Sequence, residues 1–290
     1  MHNISVKKSH ESSKVFRTII SILPYLILVF IGILIIIPFL WMIVITLDRT
    51  ANLIPPFPAK LIPDNVSLFN IKLAFENGYM VRAYMNSFIV TVFGVALAVT
   101  SSQMAGYAFS KGVFRGRKFL FMLVLSTMMI PLETRLIPMY KMVIFADLRN
   151  SFIPIILPNM LYGFGVLLFR QYFDKIPNSL REAAYIDGSG EFSTFIRVFL
   201  PLTGPITATM VILSFMGNWN NFLWPMIVIS TEAKRTIPIF LANFRLVNET
   251  TCQYGVTMAL TSLAVVPVII VFLFLQKYIV RSIALSGLKE

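Results

Sequence analysis

The longest uninterrupted apolar run in the sequence extends from Ile19 to Leu47. A membrane-spanning helix needs about 20 consecutive apolar residues, whereas the apolar stretch of a secretory signal peptide has only about 7–15. The run is too long for a signal peptide, and no small-residue cleavage site follows it. It therefore predicts a retained spanning helix at residues 19–47, preceded by a tail at residues 1–18.

Five further apolar runs are long enough to cross a membrane. Only 13% of the 290 residues are charged, about half the fraction of a soluble domain, so lipid must face much of the chain. The runs are continuous rather than alternating, which favours helices over the strands of a barrel. The sequence predicts an all-α integral membrane protein with six transmembrane helices, and the other five lie near Tyr84–Ser110, Phe119–Tyr140, Phe152–Phe169, Pro205–Ser230 and Met258–Gln276.

The distribution of lysine and arginine predicts the orientation, because loops on the cytoplasmic side carry the excess of these residues. The short segment 111–118 has four basic residues and no acidic one, which places it inside together with both termini. Residues 48–83 then form an external loop. The remaining chain divides into a core domain at 84–283, which includes a cytoplasmic loop at 174–204, and a cytoplasmic tail at 284–290.

Several classes of function do not fit the composition. The net charge is +12, but the basic residues flank apolar spans, which indicates topology and anionic lipid rather than nucleic acid. Cys252 is the only cysteine, and the histidines are His2 and His10 in the N-terminal tail. We therefore predict no metal site and no cofactor. No phosphate-binding Gly-x-x-x-x-Gly-Lys-Ser/Thr motif occurs, so no catalytic residue is assigned and ATP hydrolysis must reside on another chain.

The loop at 174–204 has the pattern of two short helices joined by a glycine. Ser179 and Glu182 have capping-box spacing, which predicts the start of a first helix. Gly188 is suited to end that helix in a left-handed conformation. A second amphipathic stretch follows, which Pro201 is expected to stop, with apolar residues at helical spacing at Phe192, Phe195, Ile196, Phe199 and Leu200. From spacing alone, an interfacial helix pair lying on lipid is an equal alternative.

The particular residues of this loop resemble the coupling loop of bacterial ABC importer permeases. That family has Glu-Ala-Ala, three residues, Gly, nine residues, Ile, one residue and Leu-Pro. Here Glu182-Ala183-Ala184 precedes Gly188 by three residues, and Leu200-Pro201 follows at the family spacing. Val198 replaces isoleucine. Asp187, the Asn218–Pro225 segment, Asn86-Ser87 and the Gly287-Leu-Lys tail resemble the maltose-type, sugar-importing branch.

The resemblance implies a type I importer permease fold in the bacterial cytoplasmic membrane and a role for each loop residue. Glu182 would make a charged contact with an ATP-binding subunit, Ala183 and Ala184 would pack in its cleft, and Gly188 would supply the turn. Asp187, Leu200 and Pro201 belong to the same motif. The implied partners are a second homologous permease, two ATP-binding subunits, an extracytoplasmic solute-binding protein and membrane lipid.

A polar solute needs polar side chains along its path. Ser214, Asn218 and Asn221 lie at i, i+4 and i+7 of the fifth span, on one helix face, and Trp219 or Trp224 is suited to stack on a sugar ring. Hydrogen bonding between helices is the alternative for the asparagines, and membrane anchoring is the alternative for Trp224. The segment Thr100–Gln103 is a weaker candidate.

The sequence favours a sugar or oligosaccharide importer, and three alternatives stay open. The same architecture can import a polyol or a glycerol phosphate, although a phosphate favours a basic residue in the path. A secondary transporter usually keeps ionisable residues inside the membrane, and only Glu133 lies near the end of a predicted span. A membrane receptor or scaffold would leave the coupling loop without a purpose.

Overall fold

The computed structural model of the protein describes residues 3–52, 58–76, 78–247 and 253–287. These ranges are mostly helical, and their only strand-like pairing is the isolated bridge between Asp48 and Val66. In chain order the α-helices are α1 (Asn3–Leu47), α2 (Phe69–Glu76), α3 (Tyr79–Lys111), α4 (Arg117–Thr127), α5 (Leu132–Phe145), α6 (Ile153–Ile156), α7 (Gly163–Asp174), α8 (Ser179–Ile186), α9 (Glu191–Thr194), α10 (Leu200–Leu202), α11 (Gly204–Trp219), α12 (Leu223–Val228), α13 (Ile237–Val247) and α14 (Tyr254–Gly287).

Within the described ranges, four helical segments are long and apolar enough to cross a membrane by themselves. They are Ser21–Leu47, Tyr79–Lys111, Ile153–Asp174 and Tyr254–Tyr278. Two bent pairs complete the set, with a bend of 101° between α4 and α5 and a bend of 82° between Glu191–Leu202 and α11. The all-α membrane fold is confirmed, with six spans when each bent pair counts as one.

The third span differs from the single helix predicted at Phe119–Tyr140. It is interrupted between Thr127 and Leu132, where Pro131 precedes α5. A proline has no N–H to donate within a helix, and it disfavours the helical conformation of the residue before it. Glu133 lies in the first turn of α5, beyond this break, so it is not inside a continuous apolar helix.

The described residues belong to two compact units. The first is Met1–Ala74 with Glu249–Ser262, and the second is Phe75–Asn248 with Leu263–Glu290. The second unit contains the core of the proposed site, where α3 packs extensively on α7. Small residues allow this close approach. An added Cβ at Gly106 of α3 would lie 2.6 Å from the Phe169 Cβ and 2.9 Å from the Arg170 backbone nitrogen.

In the first unit, buried Asn70 fixes the start of α2 to the end of α1. Its Nδ2 donates hydrogen bonds to the carbonyl oxygens of Ile45, Thr46 and Asp48 at 3.3, 3.1 and 2.8 Å. A single side chain therefore donates to three carbonyl groups at a helix end, where carbonyl groups lack their full set of intrahelical donors. This contact holds the start of α2 at a defined position beside the end of α1.

The Asp48 carboxylate strengthens the same junction. It accepts hydrogen bonds from the Thr50 N–H, the Thr50 hydroxyl and the Asp64 N–H at 2.9, 2.7 and 2.9 Å. Burial acts to raise the pKa of the Asp48 carboxyl, but these hydrogen bonds together lower it. The stabilisation from the lowered pKa is therefore present above the ordinary aspartate pKa of about 3.9, and it is lost as the pH falls through the lower folded-state value.

Replacing Asn70 with alanine should loosen this junction without affecting membrane insertion. Three buried carbonyl groups would lose the Asn70 amide as a donor, and a buried polar group left unpaired costs roughly 1–3 kcal/mol. We expect faster amide hydrogen exchange in residues 58–76 in mild detergent. The exposed Asn65 is the control, because Asn65→Ala keeps the backbone contacts. Equal exchange in the two variants would contradict the assignment.

Candidate functional site

The loop at 174–204 is called the coupling loop here after its resemblance to that of the family. Its first helix ends in a left-handed turn at Gly188. The φ angle of Gly188 is 79°, and its N–H donates to the Tyr185 carbonyl at 3.0 Å. The next N–H, of Ser189, reaches the Ala184 carbonyl at 2.9 Å. This pair of bonds is the Schellman arrangement, which favours glycine because it has no Cβ. The prediction that Gly188 ends the helix is confirmed.

The start of the same helix is not the predicted capping box. Ser179 is already the first helical residue, and the cap position is Asn178, which makes no side-chain capping bond. The Asn178 Oδ1 instead accepts a hydrogen bond from the Lys111 Nζ at 2.9 Å. A contact with the end of α3 therefore takes the place of a local cap, and the Ser-x-x-Glu spacing was misleading.

The outward surface of α8, named here the docking face, combines apolar and acidic side chains. Ile186 is 86% exposed and Leu180 is 41% exposed. The other members of the docking face are also exposed, and they are Glu182, Ala183 and Asp187. Ala184 differs, because it is only 8% exposed and packs within the chain. Of the two alanines, only Ala183 is available to a partner in this structure.

The second helix of the coupling loop runs from Glu191 to Leu202 and contains a π-helical turn at Phe195–Phe199. The Leu200 N–H donates to the Phe195 carbonyl, five residues earlier. Pro201 has no N–H for the Arg197 carbonyl, which explains why the regular pattern is lost here. Pro201 is exposed and lies inside the last turn, so the helix stops after Leu202 rather than at the proline. Leu200 is partly buried against the aromatic core.

An aromatic cluster lies under the coupling loop and joins it to the membrane helices. Tyr107 of α3 has ring-centroid distances of 5.0 Å to Phe195, 5.1 Å to Phe199 and 5.6 Å to Phe173. Phe173 and Phe199 are fully buried. Such aromatic pairs each contribute about 0.5–1.5 kcal/mol beyond their buried area, so the loop is packed firmly onto α3 and α7.

Polar contacts that the sequence did not predict reinforce this packing. The Tyr107 hydroxyl donates to the Glu191 carboxylate at 2.7 Å, and the Arg181 guanidinium donates to the same carboxylate at 2.9 Å. The Lys111 ammonium donates to the Ile176 carbonyl at 2.6 Å. Tyr107 and Glu191 are 84 residues apart in sequence, so no local spacing reveals the pair. For these contacts, the only signal in the sequence was Lys111, a lysine at the end of an apolar run.

The predicted path residues Ser214 and Asn218 are buried between helices. The Asn218 Nδ2 donates to the Ser214 carbonyl at 2.9 Å, on its own helix. An added Cβ at Gly94 of α3 would lie 2.6 Å from the Asn218 Oδ1 and 3.2 Å from the Asn159 Nδ2. Asn218 therefore lies close to Gly94 of α3 and to Asn159 at 9% exposure, and its amide donates to Ser214 of its own helix.

Trp219 and Trp224 are also buried, so neither indole is open to a sugar ring in this conformation. Trp219 stacks on Phe215 at 5.6 Å, and its Nε1 donates to the Ala264 carbonyl at 3.0 Å. The Trp224 Nε1 donates to the Pro154 carbonyl at 2.8 Å. Both indole N–H groups are satisfied by backbone carbonyls, so in this conformation the two side chains join helices.

Asn221 is not on the helical face predicted from its spacing. Helix α11 ends at Trp219, and α12 begins at Leu223. Pro225 explains the break, because the ring of a proline within a continuous helix would clash with the carbonyl four residues earlier, here that of Asn221. Asn221 is half-buried and lies at this break. It is the most accessible of the four predicted path residues.

The weaker candidate segment Thr100–Gln103 divides between the surface and the interior. Thr100 is exposed, whereas Ser102 and Gln103 are buried. The Gln103 Nε2 donates to the Thr207 hydroxyl of α11 at 2.9 Å. Gln103 therefore joins two helices. Among the described residues, no group of three or more histidine, cysteine, aspartate or glutamate side chains is arranged to hold a metal ion.

Comparison with known proteins agrees with this architecture. Residues 104–285 match the family model described as "Binding-protein-dependent transport system inner membrane component". The arabinooligosaccharides transport system permease protein AraQ of Halalkalibacterium halodurans is 36% identical over 228 residues, which cover 78% of this chain and 81% of AraQ. The lactose transport system permease protein LacG of Rhizobium radiobacter is 31% identical over 265 residues, which cover 91% of this chain and 95% of LacG.

A solved structure supports the fold. A chain of the crystal structure of a bacterial ABC transporter involved in the import of the acidic polysaccharide alginate superposes with a TM-score of 0.80. The match covers 90% of this chain and 97% of that one at 24% identity, which supports the type I importer permease fold. The chain belongs to the family of binding-protein-dependent transport system inner membrane components, the permease subunits of ABC importers.

Proposed function

We propose that this permease forms half of the translocation path for a sugar or oligosaccharide, and that an ATP-binding subunit docks on α8 to drive it. The observation that carries the proposal is the docking face, an exposed surface on a helix that ends in a glycine turn. Burying an aliphatic side chain such as Ile186 contributes about 1.5–3 kcal/mol. Glu182 and Asp187 then supply charged contacts at the edge of the interface.

The proposed assembly has four membrane-associated subunits and one solute-binding protein. A second, homologous permease completes the path, two ATP-binding subunits bind on the cytoplasmic side, and an extracytoplasmic binding protein delivers the solute. The basic segment 111–118 supports the orientation with both termini and the coupling loop in the cytoplasm. Closure of the ATP-binding subunits would move the coupling loop and rock the two membrane halves between inward- and outward-facing states.

The scarcity of buried charge in the described spans favours a neutral solute. Lys111 is the only buried basic residue in the described part of the chain, and it is bound to the Ile176 carbonyl and to Asn178. A phosphate would therefore find no free buried cation here. The only buried acidic residue in the same ranges is Asp48, just after the first span, which argues against ion-coupled transport.

The permeases named above for arabinooligosaccharides and lactose support a carbohydrate as the solute class. Asn221 is our candidate for direct contact with the solute. Asn218 and Ser214 are proposed to support the path by holding α11 against α3, and Trp219 by holding α11 against α14. A heteromeric path also leaves part of the solute contacts to the second permease.

Purification of the tagged chain from its native membrane in mild detergent tests the assembly. We expect mass spectrometry to identify an ATP-binding subunit and a second permease in the same complex. Reconstituted in proteoliposomes with its binding protein and ATP, the complex should take up an arabinose oligosaccharide or lactose in preference to glycerol phosphate. Reproducible recovery of the folded chain alone would contradict the proposal, and preferred uptake of glycerol phosphate would overturn the solute class.

A further inference from the structure

Two side chains of α3, one helical turn apart, hold the coupling loop at two points. Tyr107 and Lys111 are at i and i+4, so they lie on the same face of the helix. Tyr107 contacts the start of the second loop helix, and Lys111 contacts the segment before the first one. We name these two sets of contacts the α3 clamp.

The Tyr107 side of the clamp joins three elements through one carboxylate. Glu191 opens the second loop helix, and its two carboxylate oxygens accept from different partners. One accepts from the Tyr107 hydroxyl at 2.7 Å, and the other accepts from Arg181 of α8 at 2.9 Å. The Tyr107 ring is only 5% exposed and is packed among Phe173, Phe195 and Phe199. Hydrogen bonds to an ionised group are the stronger kind, so this carboxylate orients α8 relative to α3.

The Lys111 side of the clamp fixes the beginning of α8. The ammonium donates to the Ile176 carbonyl at 2.6 Å and to the Asn178 Oδ1 at 2.9 Å. Asn178 immediately precedes Ser179, the first residue of α8. Lys111 is 7% exposed, and a buried charge must keep its partners. Any displacement of α8 that preserves these bonds must carry the end of α3 with it.

This matters because α3 has no direct chain connection to the coupling loop. The loop leaves α7 at one end and enters α11 at the other, so these two helices follow its movement through the backbone. Helix α3 can follow only through non-covalent contacts. We propose that the α3 clamp transmits the displacement of the coupling helix to α3, with Tyr107, Glu191 and Lys111 as positioning residues; this rests on the proposed docking of an ATP-binding subunit.

Helix α3 is suited to carry such a displacement into the membrane. It contains no proline over 33 residues, and at 1.5 Å per residue the distance from Tyr107 to Gly94 is about 20 Å. At Gly94 it lies against Asn218 of α11 and against Asn159. A shift of α3 would therefore alter the close packing around Asn218, far from the coupling loop.

The test uses the complete reconstituted complex and compares two variants that each remove one phenolic hydroxyl. Tyr107→Phe removes the bond to Glu191, and Tyr172→Phe is the matched control. The Tyr172 hydroxyl donates to the Leu202 carbonyl at 2.8 Å, so it also binds the coupling loop, but from α7. The readout is the number of solute molecules taken up per ATP hydrolysed, together with the amount of ATP-binding subunit that co-purifies.

We expect Tyr107→Phe to lower uptake per ATP several-fold with full retention of the ATP-binding subunit, and Tyr172→Phe to leave the ratio unchanged. Glu191→Gln keeps an acceptor oxygen for Tyr107, so it should retain more of the wild-type uptake per ATP than Glu191→Ala. An unchanged ratio in both Tyr107→Phe and Glu191→Ala would overturn the clamp. If the wild-type complex itself lacks ATP-dependent uptake, the proposed function fails instead.

Discussion

Replacing Gly188 with valine is expected to lower solute uptake about tenfold or more, with normal amounts of the chain in the membrane. The φ angle of 79° at this position is one that L-residues adopt only at a cost of roughly 1–2 kcal/mol, and β-branched residues tolerate it least. A cost of about 1.4 kcal/mol corresponds to a factor of ten in an equilibrium. The turn after α8 would rearrange and displace the docking face.

The space around Gly188 shows where this effect arises. No heavy atom beyond the two chain neighbours lies within 4 Å of an added Cβ there, so the site has open space for a side chain. The variant should therefore fold and insert normally. The loss should appear when the ATP-binding subunit docks, as a weaker association and as fewer solute molecules transported per ATP.

Gly116 provides a matched control for backbone strain. Its φ angle is 80°, and it also has no heavy atom within 4 Å of an added Cβ, but it lies before α4 and outside the coupling loop. Gly116→Val should keep most of the uptake in the same vesicle assay. Normal uptake by Gly188→Val, or an equal loss in both variants, would contradict a specific docking role for the turn at Gly188.

Replacing Gly106 with leucine should prevent α3 from packing on α7. Its Cβ would lie 2.6 Å from the Phe169 Cβ and 2.9 Å from the Arg170 backbone nitrogen. A backbone atom cannot rotate away, so the two helices must separate. Overpacking of this kind costs about 3 kcal/mol. We expect little folded protein after extraction in mild detergent and a lower unfolding temperature for what remains.

Gly217 is the control for this substitution. It is exposed on α11 and has no heavy atom within 4 Å of an added Cβ. Leucine is also a better helix former than glycine by roughly 1 kcal/mol. Gly217→Leu should therefore match the wild-type protein in yield and in unfolding temperature, as measured by size-exclusion chromatography after heating. A Gly106→Leu variant as stable as Gly217→Leu would show that α3 and α7 do not pack as described.

Hydropathy was sufficient to predict the spans but not their internal breaks. An apolar run shows that a segment is stable in lipid, and all six runs contain helix in the structure. The apolar run does not show where the helix bends. Pro131 lies at the end of one break and Pro225 just after another, and hydropathy predicts a continuous span across each. Whether the chain continues or turns at such a proline is decided by packing with neighbouring helices.

The coupling loop was predictable where its conformation is local. Gly188 ends α8 because only local backbone geometry is involved. The predicted start of α8 was wrong, because the tertiary contact between Asn178 and Lys111 replaces the Ser179 capping box. Tyr107 and Glu191 were missed for the same reason, because their pairing joins distant parts of the chain.

The path residues show the limit of reasoning from one helical face. Spacing placed Asn218 and Asn221 together, but the break after Trp219 separates them into a buried and a half-buried position. Trp219 was expected to contact solute from its chemistry alone. Its burial depends on Phe215 and Ala264, and the contact with Ala264 comes from another helix that no spacing within α11 can reveal.

Site-specific cross-linking tests the central proposal, that an ATP-binding subunit docks on α8. Cys252→Ser removes the only native cysteine, and single cysteines are then placed at Ile186 and at Ile62, which are 86% and 78% exposed. We predict that Ile186→Cys cross-links to the ATP-binding subunit in native membranes and that Ile62→Cys, on the predicted outer side, does not. Cross-linking from Ile62→Cys alone, or from neither position in a transporting complex, would contradict docking on α8.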